Sequence, residues 1–134
     1  MSEQPIGFGI IGAGTIAPTH AKAIAATADA RLVCVCDVIE QKARALAEEY
    51  QAQYTTDLDE MLARDDIQTV CVCTPSGLHH VHALAAAEAG KHILCEKPMD
   101  ITLQAIDEMI QAAEENKVKL AAVFQQRTFA EKLG

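Results

Sequence analysis

The chain has 134 residues, of which 50% are hydrophobic, and a formal net charge of -8 at pH 7; this size and composition are typical of one globular domain. The negative charge would repel phosphate backbones and anionic membrane surfaces, so we expect neither nucleic acid nor a membrane as a partner. The chain contains no apolar run of the roughly 18 residues that a membrane span needs and opens without the basic start of a signal peptide, so we expect a cytoplasmic protein.

Short apolar runs alternate with longer segments of helical period, which predicts a parallel sheet covered by helices on both faces. Right-handed crossovers between such strands predict the fold class α/β, a doubly wound parallel sheet (Rossmann fold) of about six strands in the order 3-2-1-4-5-6. We expect residues 1–134 to form a single dinucleotide-binding domain. The predicted strands are residues 6–11, 32–36, 69–73, 92–95 and 120–124, with a weaker one at 53–55.

The segments between the strands carry the apolar spacing of crossover helices. This spacing predicts helices over residues 39–50 and 103–113. A further helix is predicted to start at Val81, with Gly90 as its C-terminal cap. Asp57 or Asp59 would cap a short helix that ends near Leu62.

The first predicted strand runs into Gly12-Ala13-Gly14-Thr15-Ile16-Ala17, a G-x-G-x-x-A turn that opens a helix. In dinucleotide-binding turns the first glycine makes the tight turn, the second lets the backbone approach a pyrophosphate, and a small third residue lets the helix pack on the strands. We therefore predict that Gly12, Gly14, Thr15 and Ile16 bind a dinucleotide cofactor. The alternative is an ordinary glycine-rich connection between a strand and a helix.

Asp37 ends the second predicted strand, roughly 20 residues after the glycine turn, where a carboxylate can accept the ribose hydroxyls of NAD. NADP is less favoured, because its 2′-phosphate would meet this carboxylate and neither Val38 nor Ile39 supplies an arginine. The alternative is that Asp37 only caps the helix that follows it.

A loop of polar residues follows the fourth predicted strand, at the edge where open α/β sheets bind ligands. We predict that Thr74, Pro75, Ser76 and His79 contact the cofactor. The alternative is a turn shaped by proline and glycine in which Thr74 or Ser76 caps a helix. His79, His80 and His82 lack acids or cysteines at ligand spacing, so we expect no metal and interpret them as solvated or cofactor-facing.

The chain has five cysteines, and all of them lie in apolar stretches. We therefore interpret them as buried thiols: Cys34, Cys36, Cys71, Cys73 and Cys95.

The fifth predicted strand leads into Glu96-Lys97-Pro98, which brings a carboxylate and an ammonium to the same edge. A lysine near a hydride acceptor can bind the reacting hydroxyl and help to move its proton. Taken alone, such a pair is usually a surface ion pair, which is the alternative interpretation.

In their order along the chain, these motifs together with Gly90-Lys91-His92 resemble the amino-terminal cofactor domain of the Gfo/Idh/MocA oxidoreductases. The resemblance extends from Ile6 to about Arg127, and residues 14–18 also resemble the sugar-uronate branch of the family. It implies an NAD-dependent dehydrogenase that transfers hydride between a nicotinamide cofactor and a hydroxyl of a sugar, cyclitol or nucleotide sugar.

The resemblance also implies roles for single residues. Glu96 would contact the nicotinamide-side ribose, Lys97 would bind the cofactor and serve in catalysis, and Pro98 would orient them. His79 matches the family position, whereas Ser76 stands where members commonly carry asparagine. Gln125 and Arg127 match loosely the place where relatives turn toward their substrate domain.

Family members continue into a second domain that supplies substrate contacts, and this part is absent from the chain. We therefore expect the chain alone to be inactive. The alternative function is a stand-alone module that binds or senses NAD(H) without catalysis. Members assemble through the sheet of that second domain, so a homo-oligomer is a possible state of the full-length enzyme and a monomer is the alternative for this chain.

Overall fold

The structure is a computed structural model that describes residues 5–74, 76–96 and 102–123, without the side chains of 76–79, 96, 122 and 123. Within these ranges strands and helices alternate along the chain, as the apolar pattern predicts. The strands are β1 (Ile6–Ile11), β2 (Ala30–Cys36), β3 (Gln53–Thr55), β4 (Thr69–Val72), β5 (His92–Glu96) and β6 (Leu120–Val123). The helices are α1 (Ala17–Ala25), α2 (Glu40–Glu49), α3 (Leu58–Leu62), α4 (Ser76–Glu88) and α5 (Leu103–Glu115).

The strands form one six-stranded sheet in the order β3-β2-β1-β4-β5-β6, and every pair is parallel. This confirms the predicted doubly wound sheet and its order. The register aligns Ile11 of β1 with Cys36 of β2 on one side and with Val72 of β4 on the other. The connections that leave these three strands therefore begin side by side, and we call this side of the sheet the carboxyl edge.

Each face of the sheet has its own hydrophobic core. Because successive side chains of a strand point to opposite faces, one strand serves both cores. Ile10 of β1 packs with α1 and α2, whereas Ile11 packs on the face of α3, α4 and α5. Burial of apolar side chains on both faces explains why these strands read as continuous apolar runs.

The start of α4 differs from the prediction. The helix begins at Ser76, not at Val81. The prediction was wrong because it took Val81 as part of the buried stripe, whereas this side chain is 55% exposed. Small residues form the buried stripe instead: Ala83, Ala86 and Ala87.

Several strand and helix ends also differ by one or two residues from the sequence pattern. β2 begins at Ala30, β4 ends at Val72 and β5 extends to Glu96, whereas Phe124 lies outside the described residues. Of the two candidate caps for α3, Asp57 is the N-cap, and its carboxylate accepts hydrogen bonds from the N–H groups of Asp59 and Glu60.

All five cysteines are buried, as predicted. Burial raises the pKa of the Cys34 thiol and that of the Cys36 thiol from 9.0 to about 11, because an apolar environment disfavours the thiolate. These two thiols therefore act as small apolar side chains of the core. Among the described residues, no helix has both the length and the apolar character that crossing a bilayer requires.

Candidate functional site

Gly12 lies at the start of the turn that leaves β1, and the fold itself requires a glycine there. Its φ is +95°, a conformation that side chains with a Cβ rarely adopt. A Cβ at this position would lie 2.7 Å from Cγ2 of Thr74 and 3.0 Å from the backbone nitrogen of Thr74. The Gly12 N–H donates a 2.7 Å hydrogen bond to the carbonyl of Cys36. The turn is thus held between β2 and the segment after β4.

Gly14 differs from Gly12, because no contact of the described residues requires a glycine there. Its φ is not positive, and a Cβ at this position would have no heavy atom within 4 Å. Local strain and close packing, the usual intramolecular reasons for glycine, are therefore both absent among the described residues. The open space beside Gly14 is the space in which an external group can approach the backbone.

The N–H groups around Gly14 are available to such a group. Within the described part of the chain, the N–H groups of Gly14, Thr15 and Ile16 donate to no acceptor. Ile16 is the N-cap of α1 but its side chain makes no capping hydrogen bond. Free N–H groups at the start of a helix, together with the helix dipole, form an anion-binding site. This arrangement fits a pyrophosphate.

The first residues of α1 hold the turn close to the sheet. Ala17, the first helical residue, has no exposed surface and packs in the core beside Ile10. A larger side chain would push the helix away from the strands. Pro18 is the second helical residue, where a missing N–H removes no intrahelical hydrogen bond.

Asp37 reaches from the end of β2 to the glycine turn. One carboxylate oxygen accepts a 2.7 Å hydrogen bond from the Ala13 N–H, and the other accepts a 2.8 Å bond from the Ile39 N–H. Ile39 is the N-cap of α2, and no side chain makes a capping hydrogen bond to this helix, so Asp37 precedes the helix without capping it. A carboxylate has about four lone-pair sites, so Asp37 retains acceptor capacity for a ligand.

The two residues that follow Asp37 have exposed apolar side chains. Val38 is 88% exposed and Ile39 is 48% exposed, so an apolar surface borders the carboxylate. Arg44 lies on α2 and pairs with Glu48 at 2.8 Å. This pairing raises the pKa of Arg44 above its ordinary value, with the hydrogen bond to Glu48 as the main cause.

Thr74 directly follows Cys73 at the carboxyl edge and makes a 3.0 Å hydrogen bond between its Oγ1 and Nδ1 of His82. The Cys73 N–H donates to the carbonyl of Ile11, which extends the pairing of β4 with β1 to the glycine turn. Pro75 lies outside the described residues, and the side chains of Ser76 and His79, both in α4, are not described.

The second motif of the carboxyl edge is described only at its first residue. Glu96 is the last residue of β5 and pairs in register with Val123 of β6, so its backbone lies at this edge. Lys97 and Pro98 lie outside the described residues, as do Gln125 and Arg127.

The predicted histidines differ in their contacts. His80 forms a 2.5 Å contact between its Nε2 and Oε1 of Glu108 on α5, whereas His82 contacts Thr74. Among the described residues, no three His, Cys, Asp or Glu side chains lie together so that they could hold a metal ion.

Lys91 is a buried charged residue whose structural role the sequence did not indicate. Its ammonium donates hydrogen bonds of 2.6 and 2.7 Å to the carbonyls of Arg64 and Ile67. Burial lowers its pKa, while Asp65 and Asp66 act in the opposite direction. Lys91 precedes β5, so it holds the segment before β4 at the amino edge, opposite the glycine turn. The motif Gly90-Lys91-His92 was the only sequence signal for this residue.

A groove of about 510 Å³ also lies at this amino edge. Acidic side chains dominate its charged lining, and carboxylates repel a diphosphate. The groove therefore does not compete with the carboxyl edge as a dinucleotide site. Its charged lining residues are Asp59, Asp65, Glu88 and Lys91.

Comparison with known proteins agrees with this geometry. Residues 6–124 match the family model of the Gfo/Idh/MocA oxidoreductases, described as an oxidoreductase family with an NAD-binding Rossmann fold. The chain is 39% identical over 120 residues to inositol 2-dehydrogenase of Rhizobium meliloti, and covers 36% of that protein with 90% of its own length. It is also 39% identical over 129 residues to D-glucoside 3-dehydrogenase of Escherichia coli. This match covers 95% of the chain and 37% of that enzyme.

Solved structures show the same similarity. The WlbA dehydrogenase from Bordetella pertussis, crystallised with NADH and UDP-GlcNAcA, matches with a TM-score of 0.89 and 34% sequence identity. The match covers 96% of this chain and 37% of WlbA. The chain thus spans little more than a third of the length of these relatives.

Proposed function

Because the chain belongs to the Gfo/Idh/MocA oxidoreductases and matches their NAD-binding Rossmann domain, we propose that it is the cofactor-binding part of an NAD-dependent dehydrogenase. The substrate would be a sugar, a cyclitol or a nucleotide sugar. The substrate class follows the relatives, which are named as inositol and glucoside dehydrogenases, and WlbA, crystallised with a nucleotide sugar. The observation that carries the proposal is the open space beside Gly14, next to three N–H groups that have no acceptor among the residues that the structure describes.

The diphosphate of the cofactor would lie on the N–H groups of Gly14, Thr15 and Ile16. Hydrogen bonds from these groups act locally, so a net charge of -8 for the whole chain does not prevent anion binding here. Gly12 would contribute by shaping the turn through its positive φ. Thr74, Pro75, Ser76 and His79 would line the opposite side of the bound cofactor.

Asp37 would select NAD over NADP. Its position beside the turn supports a hydrogen bond from a ribose hydroxyl to the carboxylate, whereas a 2′-phosphate would place two negative groups together. The exposed Val38 and Ile39 offer no compensating positive charge. Lys42 is on α2, and Arg44 is already paired with Glu48.

Calorimetry on the 134-residue chain tests this preference. NADH should bind more tightly than NADPH, and Asp37→Ala should weaken NADH binding and reduce the difference between the two cofactors. Asp29→Ala is the matched control, because it removes an exposed acid at the amino edge and changes the net charge by the same amount. NADPH binding as tight as NADH binding would refute the NAD preference, and absence of binding to either would refute the proposed cofactor function.

Chemistry in the complete protein would depend on Lys97. When bound, the nicotinamide ring supplies the acceptor for the hydride of the substrate carbon. Lys97 would bind the hydroxyl on that carbon and, as the neutral amine, help to remove its proton, and Glu96 would hold the neighbouring ribose. This assignment is supported by the family resemblance of Glu96-Lys97-Pro98 and by the position of Glu96 at the end of β5.

The test of catalysis needs the longer protein. If the coding sequence continues in frame beyond codon 134, its product should oxidise a sugar or cyclitol with NAD. Lys97→Met should lower kcat about 100-fold or more, the range of acid–base catalysis, while NADH still binds. A variant that retains its rate would remove Lys97 from this role. A protein that binds NADH but turns over no polyol would favour the sensing module instead.

A further inference from the structure

Thr74, which lies against the glycine turn, is hydrogen-bonded to a histidine that neither the glycine motif nor the family resemblance includes. We propose that His82 of α4 is a positioning residue for dinucleotide binding and acts through Thr74 on the glycine turn. The inference rests on the proposed cofactor function and adds a residue that determines affinity without contacting the ligand.

The first step is the contact between His82 and Thr74. Oγ1 of Thr74 lies 3.0 Å from Nδ1 of His82, and both side chains are half-buried. The hydrogen bond exists in either tautomer, because a hydroxyl can donate to the ring nitrogen or accept from it. Helical side chains tilt toward the N-terminus of their helix, so His82 can reach back to a residue that precedes α4.

The second step is the contact between Thr74 and the glycine turn. A threonine side chain whose hydroxyl is held has its methyl group held as well, because both lie on the same carbon. This methyl, Cγ2, lies 2.7 Å from the position that a Cβ of Gly12 would occupy. The side chain of Thr74 therefore packs against the backbone of Gly12.

The third step connects this contact between Thr74 and Gly12 to ligand binding. On the side of β2, the turn is fixed by the bond from the Gly12 N–H to Cys36 and by the bond from the Ala13 N–H to Asp37. On the side of β4, the backbone of Cys73 and the side chain of Thr74 lie against Gly12. Loss of its hydrogen bond to His82 removes one of the contacts that orient this side chain, and the turn then loses rigidity before it binds. Affinity falls when a binding site must be ordered by its ligand.

The experiment measures NADH affinity by calorimetry and thermal stability on the 134-residue chain. His82→Leu removes the ring nitrogen but keeps a side chain of similar bulk, and it should weaken NADH binding about 3- to 10-fold, as expected for one hydrogen bond. His82→Asn should restore most of the affinity, because an asparagine amide can reach the position of Nδ1. His80→Leu is the matched control; it breaks the contact with Glu108 on the same helix and should change stability without changing affinity.

A double-mutant cycle with Thr74→Val tests the route through Thr74. Valine keeps the methyl group and removes the hydroxyl, so His82→Leu should have little further effect on affinity in the Thr74→Val background. Additive effects, or a His82→Leu variant that binds NADH as tightly as the wild type, would overturn the inference while leaving the cofactor function intact. A wild-type chain that binds no dinucleotide would overturn both.

Discussion

Replacement of each glycine of the turn by alanine should affect a different property of the protein. The replacement of Gly14 should weaken cofactor binding, whereas the replacement of Gly12 should lower stability, because only Gly12 has a conformation and contacts that require a glycine. In Gly14→Ala, the new methyl group meets no protein atom within 4 Å and the backbone is not in the left-handed region. The substitution reduces the conformational freedom of the unfolded chain, so the free energy of unfolding should stay the same or rise by about 0.4–1 kcal/mol. The loss should appear in binding alone.

The size of this binding loss follows from the N–H groups beside Gly14. A methyl group there would keep a diphosphate from approaching the N–H groups of Gly14 and Thr15. Hydrogen bonds to a charged group contribute about 1.5–3 kcal/mol each, and about 1.4 kcal/mol changes affinity tenfold. Loss of one such bond should therefore weaken NADH binding about 10- to 100-fold.

Gly12→Ala provides the contrast in stability. A φ of +95° costs a residue with a Cβ roughly 1–2 kcal/mol. The contact at 2.7 Å with Thr74 adds an overpacking cost of roughly 1–3 kcal/mol. The expected destabilisation is about 2–5 kcal/mol, visible as a fall in the melting temperature.

Calorimetric titration with NADH and thermal denaturation followed by circular dichroism measure the two quantities on the same samples. A Gly14→Ala variant that keeps its fold and its NADH affinity would refute the assignment of the open space to the diphosphate. A Gly14→Ala variant that unfolds as readily as Gly12→Ala would show that the fold, not a ligand, requires this glycine.

Three further predictions concern residues away from the turn. Lys91→Met should lower the free energy of unfolding by about 1–3 kcal/mol, because it removes the donor to the carbonyls of Arg64 and Ile67. These carbonyls lie at the edge opposite the glycine turn, so NADH affinity should not change. A calorimetric affinity that falls together with stability would contradict this separation. Asp57→Ala should cost about 1 kcal/mol in urea denaturation through loss of the α3 cap, and an unchanged midpoint would refute the role of the cap. Folding raises the pKa of the Cys34 and Cys36 thiols to about 11, so the stability that these thiols contribute is complete below pH 9 and is lost as the pH rises toward 11. The urea midpoint should therefore fall between pH 9 and pH 11, and it should fall less steeply in the double variant Cys34→Ala/Cys36→Ala. An equally steep fall in that variant would contradict the assignment.

The sheet could be predicted because its determinants are local in the sequence. Apolar runs on both faces, helical spacing between them and the handedness of crossovers specify a doubly wound sheet without knowledge of any contact. The start of α4 could not be predicted in this way. Its buried stripe consists of alanines, which give little periodic contrast, while Val81 is exposed.

The candidate site was predictable in its positions but not in its contacts. The spacing of glycines indicates a turn, yet it does not distinguish Gly12, which the fold requires, from Gly14, which it does not. The bond from the Ala13 N–H to Asp37 and the contact of His82 with Thr74 join residues from different strands and helices. Such contacts depend on tertiary packing, and a single sequence carries no periodic signal for them.

The structure connects the local motif with the whole sheet. The N–H groups beside the open space belong to consecutive residues, but the turn that carries them is fixed from β2 through Cys36 and Asp37 and from β4 through Thr74. A turn of this kind can be rigid only after three strands have paired. Substitutions in β2 or after β4 should therefore alter dinucleotide affinity without touching the ligand, because they change how much ordering the ligand must supply on binding.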